Sequence, residues 1–163
     1  MDIHSNLPWP SCDLSNFAAH GFVVDGERCA SMEGFLQSLK FEDAGQARAT
    51  RALAGMEAKK AGADRNAAWQ SAKALWWKGV EMERMGEPLA RLVDKAFEAL
   101  FAQSEPFRRA LAATHGEELR HAIGEGDPAK TVLTEEEFCA RLENLRRFGR
   151  ARAPSGPRGP KPA

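Results

Sequence analysis

The chain of 163 residues, 43% of them hydrophobic, is long enough to bury one substantial core and too short to make two domains the expectation. Its 23 Lys and Arg balance its 23 Asp and Glu, but six basic residues and no acidic ones lie between 146 and 163, leaving the preceding body six charges negative. That distribution argues against a dedicated nucleic-acid-binding domain, and no run approaches the roughly 20 apolar residues that a membrane-spanning helix needs.

Taken in chain order, "MDIHSNLPWP" lacks the charged start and apolar stretch of a signal peptide. "GFVVDGERCAS" reads as a short hairpin, because Asp25-Gly26 supplies the positive φ angles of a tight turn between β-favouring flanks. A helix follows, with Ser31 as N-cap and Met32, Phe35, Leu36 and Leu39 as its apolar stripe. Gly34 weakens it, and the Asp43/Gly45 region ends it.

Ala-rich helices are predicted over 46 to 54 and 66 to 76, separated by Gly55, Gly62 and the start signal Asp64-Arg65-Asn66, with a break at "KGVEMERMGEP". Pro88 opens an amphipathic helix carrying Leu89, Leu92, Val93, Ala96, Leu100 and Phe101. Pro106 opens a shorter one ending before Gly116, another short helix is expected over 116 to 122, and "GEGDPAK" is a loop. Thr134 with Glu137 forms a capping box for a last helix that turns Phe138, Leu142 and Leu145 inward. The expected fold class is α+β, a helix-dominated domain over 1 to 149 with a small N-terminal antiparallel sheet. Residues 150 to 163 form a basic Pro/Gly-rich tail, expected to be disordered, with loose salt-dependent phosphate contact as the alternative.

Cys12, Cys29 and Cys139 are odd in number and contain no CxxC pair, so neither a disulfide framework nor a thiolate zinc site is expected, and a reducing cytoplasm fits best. The four histidines, at 4, 20, 115 and 121, show no metal-ligand spacing and read as surface or packing residues. The absence of tyrosine excludes any mechanism that needs a phenol.

Glu33, Gln37 and Lys40 stand at i, i+4 and i+7 and fall within about 60° of one another on a helix. This polar stripe borders the apolar one, so it is either a solvated edge or the wall of a pocket. A carboxylate at such a boundary is partly desolvated, which raises its pKa and readies it as a base, while a nearby lysine holds it ionised. Trp69, Trp76 and Trp77 cluster with Lys73 and Lys78, either as core or as a stacking surface for a planar base with phosphate contacts nearby.

The segment "DLSNFAAHGFVVDGERCASMEGFLQSLKF" resembles the opening of the NADAR, or YbiA-like, N-glycosidase family: an SNF segment, a short strand, a DG turn, then S-x-E-x-x-x-Q-x-x-K-F on a helix. The matching positions are Ser15, Asn16, Phe17, Asp25, Gly26, Ser31, Glu33, Gln37, Lys40 and Phe41. "LWWKG", "DKAFEALFAQSEPFRRALAAT" and "EEEFCARLENLR" also look like family blocks, so the resemblance spans roughly 13 to 148.

The resemblance implies a YbiA-like fold and cleavage of an N-glycosidic bond between ribose and a base-like amine. Family substrates include ribosylamino-pyrimidine phosphates from early riboflavin synthesis and, in other members, ADP-ribose attached to guanine in nucleic acid. It makes Glu33 the catalytic carboxylate and Trp76 or Trp77 a pocket wall, with Asn16 and Phe17 as further substrate contacts. Gln37 would hold a ribose hydroxyl, and Lys40, Lys73 or Lys78 a phosphate. Neither metal nor organic cofactor is implied. Many relatives carry an Asp followed by Trp-Gly in the loop before the last helix; "GEGDPAKTVLTEEEF" has no tryptophan, leaving Asp127 as either the counterpart acid or a turn residue before Pro128. A catalytically silent ADP-ribose or nucleotide binding module and a plain helical interaction protein are the competing expectations.

Overall fold

In the computed structural model, which describes residues 1–149, one helical turn, α1 (Ser11–Leu14), leads to the expected hairpin of β1 (Phe22–Val24) and β2 (Glu27–Cys29). Asp25 and Gly26 close it with φ of 50° and 76°, the left-handed pair that matches the twist of a two-residue turn. The tail expected from residue 150 lies outside the described residues. Helix α2 (Met32–Ser38) starts at Ser31, whose hydroxyl accepts from Gly34 N at 2.9 Å and donates to Leu53 O at 3.0 Å. One side chain thus caps α2 and ties it to the chain leaving α3 (Ala44–Arg51).

Helix α4 (Gly55–Ala63) fills the stretch in which Gly55 and Gly62 read as breakers. Gly55 begins it at a φ of 56°, and Gly62 lies where α4 packs on the Gln37 side chain of α2. The glycines permit a turn and a close approach instead of interrupting a helix.

Helix α5 (Asn66–Ala72) ends four residues before the expected limit of 76, because Lys73 adopts the left-handed conformation at φ 54°. The chain then forms a second hairpin that the sequence reading did not contain, β3 (Ala74–Trp77) and β4 (Val80–Glu83), turning on Lys78-Gly79 at φ of 52° and 79°. Trp76 and Trp77 therefore belong to a strand, and the fold holds two separate two-stranded antiparallel sheets among its described residues instead of one. Trp76 N donates to Leu39 O at 2.8 Å, fastening the second sheet to the end of α2.

Helix α6 (Glu87–Gln103) opens with Pro88 and buries Leu89, Leu92, Val93, Ala96, Phe97 and Leu100. Ser104 then caps α7 (Glu105–Ala113), accepting from Phe107 N at 3.3 Å. The helix expected over 116 to 122 does not form. Its backbone pairs with the N-terminal segment, Ile3 N donating to Arg120 O at 2.8 Å and Arg120 N to Met1 O at 2.9 Å. Helix α8 (Glu135–Phe148) carries both halves of the Thr134/Glu137 capping box. Phe35, Leu39, Leu75, Phe97, Leu111, Phe138 and Leu142 form the centre of one core. Among the described residues no helix is long and apolar enough to cross a membrane.

Candidate active site

The polar stripe of α2 is not a wet helix edge. Glu33, Gln37 and Lys40 are exposed by only 9%, 9% and 6%, and all three line a cavity of about 380 Å³. Helix α2 is held there through its first turn. Glu33 N donates to Asn16 O at 2.9 Å, and Gly34 lets the helix press against the end of α3, where an added Cβ would overlap Leu53 O and approach Arg51 O to 3.0 Å.

Within the stripe, Gln37 Nε2 donates to Glu33 Oε1 at 2.8 Å and Lys40 Nζ donates to Asn66 Oδ1 at 2.6 Å. The Asn66 oxygen also accepts from Trp69 Nε1 at 3.2 Å, so buried Trp69 orients the group that holds Lys40. Burial pushes the Glu33 carboxyl above its ordinary value, against the Gln37 hydrogen bond and the charges of Lys40, Lys59 and His121. Burial also pulls the Lys40 ammonium down to about 8, opposed by Glu33 and assisted by Lys59. A carboxyl raised on α2 and an amine lowered in the turn just after it bring the two titrations toward each other, which favours proton exchange at the site.

The opposite wall comes from the segment between the N-terminal pairing and α8. Arg84, at the end of the second hairpin, donates to Thr131 O at 2.8 Å and makes a two-pronged contact with Glu137 at 3.2 and 2.8 Å. This fixes Thr131, Val132 and Leu133 along the cavity. His121 lines the cavity too, its Nδ1 lying 2.7 Å from Ile3 O and its ring set edge-on to Phe138 at 5.3 Å.

Of the expected site residues, the structure brings Asn16, Phe17, Glu33, Gln37 and Lys40 to one cavity. Lys73, Trp76, Trp77 and Asp127 lie outside it. Lys73 is the exposed cap of α5. Trp77 is buried between Phe35 and Arg51 and donates to Asp25 Oδ2 at 3.1 Å, so it supports the first hairpin and is not a pocket wall. Trp76 packs against the core on the same strand. Asp127 is exposed and caps its own loop, accepting from Ala129 N at 2.9 Å. Lys78 donates to Asp25 O at 3.0 Å, in the same hairpin contact. The sequence reading did not place Lys59, Asn66, His121 and Lys130 at the site, although all four line the cavity. They come from distant segments, and the histidine, though noticed in the sequence, was read as a surface or packing residue. Among the described residues no group of three or more His, Cys, Asp or Glu side chains is gathered to hold a metal ion.

Residues 8–147 match the family model described as bacteriophage protein GP30.3. The chain is 40% identical over 147 residues to an uncharacterized 17.1 kDa protein from the Gp30-rIII intergenic region of Enterobacteria phage T4, covering 90% of this chain and 96% of that one. Its fold is similar to the NMR structure of the E. coli protein YbiA, with a TM-score of 0.61 over 90% of this chain and 82% of that chain at 24% identity. This chain accordingly belongs to the bacteriophage GP30.3 family and is built on the YbiA fold.

Proposed function

We propose that the protein is an N-glycosidase that hydrolyses the bond between ribose C1′ and the nitrogen of a base-like leaving group, with Glu33 as its catalytic carboxylate. The observation that carries this reading is a carboxylate buried in a cavity that Lys40, Lys59 and Lys130 also line. As the C1′–N bond lengthens, positive charge builds on the sugar ring, and an ionised carboxylate beside it stabilises that charge. Water then adds its oxygen to C1′ and gives a proton to Glu33, while the bonding pair departs on nitrogen. The lysines suit a phosphate carried by the sugar, and a cavity of about 380 Å³ is within the range of small-ligand sites. Nucleotide-like substrates meet both conditions. The resemblance favours a ribosylamino-pyrimidine phosphate of riboflavin synthesis or ADP-ribose on guanine, the latter within nucleic acid.

The test is incubation of the full chain with ribosylamino-pyrimidine phosphate, NAD-derived nucleotides and ADP-ribosylated guanosine. Release of ribose phosphate or ADP-ribose supports the reading; release from none of them overturns it. A second reading, a nucleotide or ADP-ribose binding module without turnover, is favoured by Asp127, whose carboxyl caps its own loop away from the cavity. Under that reading nucleotides raise the melting temperature, no product appears, and Glu33→Gln has no turnover to remove.

A further inference from the structure

Hydrolysis of an N-glycoside asks for two proton transfers: water must lose a proton, and an amine-like leaving group must gain one. Glu33 accounts for the first under the glycosidase reading, on which this inference rests. Asp127, which the family resemblance left as either a counterpart acid or a turn residue, is turned to Ala129 N and is not among the residues lining the cavity. We infer that His121 is the second proton-transfer group, its Nε2 giving a proton to the departing nitrogen as the C1′–N bond breaks.

The ring is held as such a role requires. Ile3 O, 2.7 Å from Nδ1, can only accept, so Nδ1 carries a proton. That contact fixes which nitrogen is left for chemistry, as an orienting group does for any catalytic imidazole. Nε2 has no hydrogen-bond partner among the described residues, and the ring lines the cavity that holds Glu33. The backbone around it is pinned on three sides. Arg120 N donates to Met1 O at 2.9 Å, His121 N to Glu135 Oε1 at 3.0 Å, and Ala122 N to Asp2 Oδ1 at 2.9 Å. Gly124 closes the turn over the ring, since a Cβ there would come within 2.7 Å of His121 Cδ2.

Charged groups near the ring come from every neighbouring element. Glu33 faces the cavity from α2, Lys40 from the turn after it, Lys59 from α4, and Glu125 and Lys130 from the loop, while Glu135 of α8 and Asp2 of the N-terminal segment hold its backbone. His121 is near enough for its charge to register on the Glu33 carboxyl. After each cycle His121 is neutral and Glu33 protonated, and transfer of that proton back to His121 through solvent restores both.

The test compares the full chain with His121→Asn, whose amide keeps a donor where Nδ1 meets Ile3 O and removes Nε2. Two substrates separate the roles. Ribosylamino-pyrimidine phosphate must be protonated on nitrogen to leave, whereas nicotinamide mononucleotide releases a neutral pyridine with no proton gained. The expected result is a loss in kcat of about a hundredfold or more on the first, less than about threefold on the second, and disappearance of the fall in kcat at high pH. Equal losses on both substrates, or an unchanged kcat and pH profile on the first, overturn the inference while leaving the glycosidase reading intact. Where only the first substrate is cleaved, the pH profile decides. A wild-type chain that releases product from neither of these nor from ADP-ribosylated guanosine overturns both, and one that cleaves only the last is judged on that substrate by the same pH profile.

Discussion

Gln37 donates to Glu33 at 2.8 Å from one turn further along α2, and its amide rests on Gly62 of α4. A Cβ on Gly62 would overlap Gln37 Oε1 and lie 2.9 Å from Cδ. In an exposed helix, Gly→Ala stabilises by about 1 kcal/mol; here Gly62→Ala is expected to destabilise by about 1 to 3 kcal/mol through overpacking and to push the amide off Glu33. Urea unfolding reads the sign. Adding Gln37→Ala to Gly62→Ala should recover most of the stability without restoring turnover, because the clash is gone and so is the donor.

Glu33 itself sets activity against stability. Its carboxyl is raised above the ordinary 4.5 by burial, so between those two values the folded chain binds a proton that the unfolded chain has released. Stability contributed at this site therefore falls as pH rises through that window and stays lower above it. Glu33→Gln has no such dependence and keeps an oxygen for Gln37. Its melting temperature should gain on wild type as pH rises above 4.5, while kcat drops by about 10² to 10⁴ and nucleotide affinity is retained. A melting temperature that falls behind wild type with rising pH would show that Glu33 is held ionised by its partners.

Legibility followed the range of the signals. Asp25-Gly26, the Ser31 cap, Pro88 and the Thr134/Glu137 box each act within four residues, and the elements they announce are present. The second hairpin was hidden because "NAAWQSAKALWW" continues a helical pattern, and only Lys73 turning left-handed breaks it. Gly55 and Gly62 misled because a glycine selected for close approach looks the same in sequence as one that ends a helix. The site divides likewise. One wall is the α2 face of Glu33 and Gln37 continued by Lys40 in the turn after it, so close in sequence that local spacing made it visible. The other is assembled by Arg120 pairing with Met1 and Ile3 across more than a hundred residues, and nothing local in "LRHAIGEG" encodes that partner.

Lys40 provides a pH test independent of turnover. Its ammonium is lowered to about 8 from 10.5, first by burial. Between those values the unfolded chain binds more protons, so the cost of burying this charge is relieved as pH rises from about 8 to 10.5. An anionic ligand held by Lys40 should accordingly bind more weakly above about pH 8. Since the Glu33 charge is what props this value up, Glu33→Gln should move the onset of that weakening to lower pH. Titration calorimetry with a nucleoside monophosphate at several pH values reads the onset. Lys40→Met should bind more weakly throughout and lose the step, and a step at the same pH in both Glu33→Gln and wild type would show that the two groups are uncoupled.

Trp77 separates the aromatic cluster from the site. It packs edge-on against Phe35 with ring centroids 5.4 Å apart, lies under the Arg51 guanidinium at 5.2 Å, and donates to Asp25 Oδ2 at 3.1 Å. Each contact joins the second hairpin to the first hairpin or to α2 and α3, and none reaches the cavity. Trp77→Phe removes the indole donor and part of the surface under Arg51, so it should cost about 1 to 3 kcal/mol of stability, with KM and kcat within about twofold of wild type below the melting transition. Steady-state kinetics beside urea unfolding makes the distinction. A raised KM with unchanged unfolding would return Trp77 to the substrate pocket and move the binding surface to the other side of α2.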